Sequence, residues 1–265
     1  MRRLALLTAA LLLAGCSNPF PDPTVQSISA SPSPSPLTVL DRLPHDPDNF
    51  TQGLVVVGDE IVETTGQVGH SKLSVMDLAG TVKRSIDLPD DVFGEGVAVG
   101  SDTVWVLTWK DDRILRYTWP ELEALPDLPL ETQGWGACLD DGTLWTSDGS
   151  ATISARETSS GAVRSQVEVT MDGSPVARLN ELECNGDGTA WANIWKSDQI
   201  VRISLDDGEV VESFDASVLA REVGQGQDLG GDDVLNGIAK MPDGSLLLTG
   251  KRWDTMFVVD LPSSE

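Results

Sequence analysis

One glutamate is the best candidate in this sequence for acid/base chemistry. Glu95 lies between two glycines in the segment FGEG (93–96). Matching positions elsewhere carry amides, indoles, acids and a lysine, and the whole set is Gln52, Glu95, Trp109, Trp135, Asp148, Asn180, Glu181, Trp195, Asn236 and Lys251. A carboxyl group that lies among tryptophans, partly removed from water, has a raised pKa and can exchange a proton near neutral pH. Glu95 is therefore predicted to transfer protons; the alternative is that it pairs with Lys251 and only stabilises the fold.

Other common catalytic groupings are missing from the sequence. The two histidines, His45 and His70, fall outside the candidate set, and His45 lies in Pro-His-Asp-Pro, which predicts a turn. Without a histidine in the set, neither a zinc hydrolase nor a Ser-His-Asp triad is expected. The sequence also has no Gly-x-Ser-x-Gly motif and no phosphate-binding glycine loop.

Five similar segments position the candidate residues. Their first strands read FTQGLVV (50–56), FGEGVAV (93–99), QGWGACL (133–139), LNELECN (179–185) and VLNGIAK (234–240). After a polar turn, a second strand ends in ETTG (63–66), LTWK (107–110), TSDG (146–149), ANIWK (192–196) and LTGK (248–251). A repeat of about 40 to 55 residues with four short strands is typical of a β-propeller blade. The predicted fold is all-β: a five-bladed β-propeller with four antiparallel strands per blade.

The ring has to close, because one blade cannot bury both faces of its sheet. The last segment has only three strands and ends at Leu261, so residues 37–43 are predicted to supply its fourth strand. In such a ring the starts of the innermost strands and the ends of the second strands lie at one mouth of the central channel. The candidate residues fall at these two places, which predicts a polar and aromatic binding pocket.

The N-terminus predicts export. Met1-Arg2-Arg3 precedes an apolar run (4–13), and the words Leu-Ala-Gly-Cys (13–16) resemble the lipobox of bacterial lipoproteins. Residues 1–15 are therefore predicted to be a lipoprotein signal peptide, with Cys16 lipidated at the outer face of the bacterial cell membrane. Residues 16–36, rich in Ser and Pro, are predicted to form a tether, and residues 37–265 the propeller. An ordinary cleaved leader is the alternative.

The net charge limits the classes of binding partner, and the cysteines bear on the redox state of the compartment. The formal net charge of −24 argues against nucleic acid and predicts a solvated acidic surface, with a cationic partner as the alternative. Cys138 and Cys184 occupy equivalent places on neighbouring innermost strands. An oxidising location permits a disulfide between them, and two buried thiols are the alternative.

The motifs together resemble those of the plant-type glutaminyl cyclases, or glutamine cyclotransferases. The words that carry the resemblance are PHDPDNFTQGL (44–54), FGEGVAV (93–99), LTWK (107–110), GWG (134–136), SDGS (147–150), LNELE (179–183), ANIWKSDQI (192–200), VLNGIA (234–239) and LTGKRW (248–253). They occur in the family's order between Pro44 and Leu261. The departures are the lipobox, the tether and a polar insert (224–233) before the fifth blade.

This resemblance implies a five-bladed propeller that converts the N-terminal glutamine of peptides or proteins to pyroglutamate and releases ammonia. It implies catalytic roles for Gln52, Glu95, Asn180 and Lys251, with Glu95 as the general acid/base. It also implies a substrate cage made of Phe50, Phe93, Trp109, Trp135 and Trp195. No cofactor is expected for the chemistry, although propeller channels can hold a structural calcium, whose ligands the sequence does not assign.

Two other functions fit a propeller with such a mouth. A non-catalytic, lipid-anchored propeller would bind peptides or glycans through the same residues without turnover. A calcium-dependent, lactonase-like propeller would need several carboxylates around one metal, and the set offers Glu95, Asp148 and Glu181 at most.

The partners expected from the family resemblance are peptides or proteins with N-terminal glutamine. Membrane contact is expected only through the lipid anchor, and we expect a monomer.

Overall fold

The repeated segments form the blades of a propeller. The computed structural model describes residues 35–261, which fold into five sheets of four antiparallel strands, one of them extended by a short fifth strand. The prediction of a five-bladed, all-β propeller is confirmed. The predicted signal peptide, Cys16 and residues 16–34 of the predicted tether lie outside the described residues.

The strands are numbered in chain order. Strands β1 (Ser35–Pro36) and β2 (Thr38–Pro44) precede the first blade. Blade 1 contains β3 to β6, at Thr51–Val57, Glu60–Thr65, Lys72–Asp77 and Val82–Asp87. Blade 2 contains β7 to β10, at Gly94–Val99, Thr103–Thr108, Arg113–Thr118 and Ala124–Pro129. Blade 3 contains β11 to β14, at Ala137–Asp140, Thr143–Ser147, Thr152–Glu157 and Val163–Glu168.

The remaining elements complete the ring. A small hairpin, β15 (Thr170–Met171) and β16 (Ser174–Pro175), leads into blade 4. Blade 4 contains β17 to β20, at Leu179–Cys184, Thr189–Ile194, Gln199–Ser204 and Val210–Asp215. Helix α1 (Ser217–Gly226) follows, and blade 5 contains β21 to β23, at Leu235–Lys240, Leu246–Gly250 and Thr255–Asp260, with β2 as its fourth strand.

An N-terminal strand closes the ring, as predicted. Strand β2 pairs antiparallel with β23, from Thr38 opposite Asp260 to Pro44 opposite Thr255. The pairing begins one residue later than expected. The predicted tether also differs at its end, because Ser35 and Pro36 pair in parallel with β20 of blade 4. Their backbone therefore extends blade 4.

Burial decreases from the centre of each blade to its outer edge. In blade 1, every residue of β4 except Glu60 is buried, whereas none of the residues of the outermost strand β6 is buried. The inner strands are rich in Val, Ile and Leu, which fit a pleated surface covered on both faces by neighbouring blades. Each such side chain contributes about 1.5–3 kcal/mol when it is fully buried.

The helix was not predicted from the sequence. Helix α1 buries Leu219 and Val223 in an apolar cluster shared by blades 4 and 5, together with Trp253 and Phe257. Its hydrophobic positions are four residues apart, which places both on one face. No helix within residues 35–261 has the length and apolar character needed to cross a membrane.

The innermost strands lie backbone against backbone around the channel. A Cβ atom on Gly96 would lie 2.6 Å from the backbone nitrogen of Ala137, and one on Gly136 would meet the carbonyl oxygen of Asn180. Such approaches exclude any larger residue at these positions. They also bring Cys138 of β11 and Cys184 of β17 together, with Cα atoms 5.4 Å apart, and the structure joins the two as a disulfide.

Candidate active site

A cavity of about 380 Å³ opens at one mouth of the channel. Its size is typical of a small-molecule site. The lining residues are Phe50, Gln52, Gln67, Phe93, Glu95, Trp109, Trp135, Asn180, Trp195, Asp232 and Lys251. The structure therefore brings together all nine residues that the family resemblance implied. Gln67 and Asp232 also line the cavity, and the sequence did not indicate them.

Three members of the wider candidate set lie elsewhere. Asp148 is not among the lining residues, and its carboxylate accepts hydrogen bonds from the backbone and hydroxyl of Ser150 in a turn. Glu181 is fully buried and accepts a hydrogen bond from the backbone N–H of Leu54, 2.9 Å away on blade 1. Asn236 donates to the carbonyl oxygens of Thr51 and Gln52. Glu181 and Asn236 thus join inner strands of different blades by hydrogen bonds, and neither lines the cavity.

Irregular strand pairing places the polar residues of the cavity. The register of β3 with β4 shifts between Thr51 and Gly53, and the register of β17 with β18 shifts between Leu179 and Leu182. Strand β7 has the same irregularity between Gly94 and Val97. An extra residue in one strand redirects side chains near the end of a sheet. Gln52, Glu95 and Asn180 lie within these three bulges.

Glu95 is buried without a partner. Only 6% of the residue is exposed, and the structure records no hydrogen bond or ion pair for its side chain within residues 35–261. Burial raises the pKa of Glu95 to about 8, although the positive charge of Lys251 acts in the opposite direction. Glu95 is therefore mostly protonated at neutral pH and can exchange its proton in that range.

Lys251 lies in the same cavity but does not pair with Glu95. Burial lowers the pKa of Lys251, while the charges of Glu95, Asp232 and Glu181 raise it. The Lys251 ammonium lies 4.9 Å from the ring centroid of Phe50. Among the described residues no ion pair joins Lys251 to Glu95, so the alternative that Glu95 serves only as a structural ion-pair partner is not supported by the geometry.

Two amide oxygens in the cavity also lack partners among the described residues. The Oε1 atom of Gln52 and the Oδ1 atom of Asn180 are buried and accept no hydrogen bond from the described residues. Buried polar atoms are almost always satisfied, so an orphaned pair in a cavity indicates groups that bind a ligand. The backbone of Asn180 is fixed by the Ser147 hydroxyl, which donates to its carbonyl oxygen at 2.7 Å.

The aromatic side chains form two edge-to-face groups. Phe93 lies 6.2 Å from Phe50 and 5.7 Å from Trp109, and Trp135 lies 5.5 Å from Trp195. Such contacts fix the rings and add about 0.5–1.5 kcal/mol per pair. Both groups line the cavity that also contains Glu95.

One glutamine outside the predicted set links the two aromatic groups. The Oε1 atom of Gln133 accepts a hydrogen bond from the Trp109 indole at 2.7 Å and another from the Trp135 indole at 3.3 Å. Gln133 stands in the repeated segment QGWG, but only its position relative to both indoles reveals its role. Rings held in this way keep a cavity preorganised for its ligand.

The described residues do not form a cluster of metal ligands. Within residues 35–261, no group of three or more His, Cys, Asp or Glu side chains is arranged to hold a metal ion. The groups available for chemistry in the cavity are two carboxyls, of Glu95 and Asp232, three amides, of Gln52, Gln67 and Asn180, and the amine of Lys251. They can move a proton, orient an amide and stabilise a developing negative charge.

Comparison with known proteins identifies the family. A model of the glutamine cyclotransferase family matches residues 7–261. The glutaminyl-peptide cyclotransferase of Arabidopsis thaliana is 33% identical over 263 residues, which are 97% of this chain and 82% of that protein.

Solved structures agree with this assignment. The crystal structure of Myxococcus xanthus glutaminyl cyclase superposes with a TM-score of 0.81 at 32% identity, covering 88% of this chain and 100% of that chain. A streptogramin B lyase structure reaches a TM-score of 0.51 at 16% identity over 85% of this chain and 98% of its own, which indicates a shared fold only. The match of the family model, the sequence identity and the close superposition show that this chain belongs to the glutamine cyclotransferase family.

Proposed function

We propose that the protein converts the N-terminal glutamine of peptides or proteins to pyroglutamate, with release of ammonia. The observation that carries this proposal is the buried carboxyl group of Glu95, without a partner among the described residues, in a cavity lined by five aromatic side chains and by two amides whose oxygens also lack partners. The names of the relatives from Arabidopsis thaliana and Myxococcus xanthus support the same activity.

The reaction needs a glutamine whose side chain bends back toward its own α-amine, and a group that transfers a proton. The α-amine nitrogen attacks the side-chain amide carbon, a nitrogen–carbon bond closes the five-membered lactam, and the bond from that carbon to the amide nitrogen breaks. Because both reacting groups belong to one residue, holding them close is the main source of acceleration. Phe50, Phe93 and the three tryptophans of the cavity enclose a compact glutamine side chain.

Glu95 balances the protons of this reaction. Its carboxyl group donates a proton to the leaving nitrogen and takes one from the attacking nitrogen, so it ends in the state in which it started. Ammonia leaves as a neutral molecule. The pKa of about 8 suits both steps, because such a group gives and accepts a proton with little cost near neutral pH.

The amides and the lysine act on the carbonyl group. Gln52 and Asn180 each carry an amide N–H₂ donor, and Lys251 carries an ammonium group in the same cavity. Donors fixed in a water-poor cavity stabilise the negative charge that develops on the amide oxygen in the transition state. The Gln52 Oε1 and Asn180 Oδ1 atoms, which have no partner among the described residues, can accept hydrogen bonds from the N–H groups of the substrate.

The proposed chemistry uses the side chains of the chain without a metal ion. A structural calcium in the channel is a separate expectation, and the buried oxygens that fit it in type are Glu181 Oε2 and Asn236 Oδ1, both without partners among the described residues. Export with lipidation of Cys16 remains part of the proposal, and it would place the substrates outside the cytoplasm.

Release of ammonia from a Gln-initiated dipeptide amide tests this function. With the purified full-length protein, we expect turnover that continues in the presence of a chelator and no release from the matching Asn-initiated peptide. Loss of activity and of thermal stability together after chelation would instead reveal a required structural calcium. Binding of Gln-initiated peptides without turnover by folded protein would support the non-catalytic alternative.

The pH dependence of kcat/KM is expected to be bell-shaped, with its maximum near the pKa of Glu95, about 8. On the acid side the substrate α-amine, with a pKa of about 7.7–8.0, is protonated and cannot attack. On the alkaline side Glu95 loses the proton that the leaving nitrogen needs. Each limb should approach a tenfold fall per pH unit, measured as the initial rate of ammonia release at low substrate concentration. A wild-type profile that stays level above the substrate pKa would contradict a protonated Glu95.

A further inference from the structure

Two strained basic residues at the mouth hold the loop that follows α1. Lys196 and Arg252 both have a backbone φ of 58°, in the left-handed region that residues other than glycine rarely adopt. Each stands in the turn after the second strand of its blade. The Lys196 ammonium lies 3.0 Å from Asp232, and the Arg252 guanidinium lies 3.0 Å from Asp233. Strain of this kind persists where the surrounding contacts fix the backbone, and it is common at functional sites.

The loop is fixed by further bonds around Asp233. The Trp253 indole donates to the carbonyl oxygen of Asp233 at 3.0 Å, and the Gly230 N–H donates to its carboxylate at 2.7 Å. The Gln227 side chain donates to the carbonyl oxygen of Arg252. Only 12% of the Asp233 side chain is exposed, whereas 67% of the neighbouring Asp232 side chain is exposed. The contacts of Asp233 thus present Asp232 at the edge of the cavity.

Asp232 is the charged carboxylate of the cavity lining. The lining contains two acids, Glu95 and Asp232. Burial keeps Glu95 mostly protonated at neutral pH, so Asp232 carries the negative charge. Its Oδ1 atom faces Lys196, and within residues 35–261 no hydrogen bond is recorded for its Oδ2 atom. An exposed pair of this type contributes only about 0–1 kcal/mol, so a second cation can approach the free oxygen.

The proposed reaction places the second substrate residue at the open edge of the cavity that Asp232 lines. The first residue lies inside the cavity at Glu95, because its amine and side chain react there. The chain then leaves through the carbonyl group of the first residue, so the second residue must lie at the open edge, where the exposed Asp232 lines the cavity.

We propose that Asp232 contacts the second residue of the substrate and selects peptides with lysine or arginine at that position. This inference rests on the proposed function and adds a substrate class to it. The net charge of −24 acts in the same direction, because an acidic surface raises the local concentration of cationic peptides.

Peptides that differ only in the second residue test this proposal. The values of kcat/KM for Gln-Lys, Gln-Ala and Gln-Glu amides are compared for the wild type, Asp232→Asn and Asp228→Asn. Asp228 is an exposed aspartate in the same loop and does not line the cavity, so its variant removes the same charge as a matched control. We expect the wild type to prefer Gln-Lys over Gln-Glu, and Asp232→Asn to reduce this ratio by about three- to tenfold.

The ratio should fall because kcat/KM decreases for Gln-Lys and increases for Gln-Glu. A structural defect would lower both, so opposite changes separate a role in selection from a role in folding. Asp228→Asn should keep the wild-type ratio, and added salt should reduce it in the wild type. Turnover of all three peptides with the same ratio in the wild type and Asp232→Asn would overturn this inference and leave the proposed function standing. Absence of turnover of every peptide by the folded wild type would overturn both.

Discussion

Replacement of Glu95 by glutamine is expected to lower kcat by about 10²–10⁴-fold, the usual contribution of a positioned proton-transfer group. Glutamine has nearly the same shape and fits the same buried position, but it cannot take a proton from the attacking nitrogen or give one to the leaving nitrogen. The measurement is the rate of ammonia release at saturating Gln-initiated peptide. Because the cage and the amides remain, KM should change much less than kcat.

The substitution is also expected to change the free energy of unfolding, in a direction that follows from the pKa of Glu95. The pKa of Glu95 rises from 4.5 in the unfolded chain to about 8 in the fold, so the folded state binds the proton more tightly. The free energy of unfolding therefore decreases as the pH rises from below 4.5 to above 8, by an amount on the order of several kcal/mol. Glu95→Gln removes this loss, and it should unfold at a higher temperature than the wild type above neutral pH.

Glu183 offers a matched control for both readouts. Burial also raises the pKa of Glu183 to about 8, but this residue does not line the cavity. Because Glu183 is only half-buried, Glu183→Gln should show a smaller gain in stability at alkaline pH, and it should keep the wild-type kcat. Wild-type turnover in folded Glu95→Gln would remove Glu95 from the mechanism. A loss of stability in that variant would show that native contacts hold the carboxylate in its charged form.

The repeated residues of the site were predictable because the repeat fixes where they lie. A residue such as Trp195 stands at the end of a second strand, and every second strand of a propeller ends at the same mouth. Gln67 and Asp232 escaped prediction because neither occupies one of these two repeated positions. Asp232 comes from the insert after blade 4, and the contacts of this loop with Lys196, Arg252 and Trp253 become known only from the structure.

His45 shows a second limit of the sequence. Its surroundings in Pro-His-Asp-Pro predicted a turn, and the structure has one at Pro47 and Asp48. The sequence did not indicate that the ring is buried, with 7% of the residue exposed, where the closing strand β2 leads into blade 1. The Nδ1 atom lies 2.7 Å from the carbonyl oxygen of Trp253, and the Nε2 atom lies 3.0 Å from the carboxylate of Glu63. Trp253 is 208 residues from His45 in the sequence and Glu63 is 18 residues away, and the closed ring brings both to the same imidazole.

Both ring nitrogens of His45 face acceptors, so the doubly protonated ring satisfies both. Burial opposes this charge, but the charge and hydrogen bond of Glu63, together with the Trp253 carbonyl and the charge of Asp46, raise the pKa of His45 above its usual value. Glu63 is fully buried and also accepts hydrogen bonds from Thr51 at 2.6 Å and Asn49 at 2.8 Å. This network joins the first blade to the last at the closure of the ring.

Replacement of Glu63 by glutamine is expected to lower the free energy of unfolding by about 3–5 kcal/mol, because it leaves a buried imidazolium without its counter-charge. The contribution of His45 is present in full below its unfolded pKa of 6.5 and is lost as the pH rises through the higher pKa of the folded state. The difference between the wild type and Glu63→Gln should therefore be largest near pH 6 and smaller near pH 9. Urea unfolding followed by circular dichroism measures it.

Glu60 on the same strand provides the control, because its carboxylate pairs with Arg84 at 2.8 Å where both side chains are partly exposed. Glu60→Gln should cost no more than about 1 kcal/mol, as exposed ion pairs do. If Glu63→Gln were as mild as Glu60→Gln and independent of pH, His45 would be neutral in the fold. Its hydrogen bond to the Trp253 carbonyl would then hold the closing segment without help from charge. An ion pair between His45 and Glu63 therefore requires both results: a large loss of stability in Glu63→Gln and a loss that decreases as the pH rises.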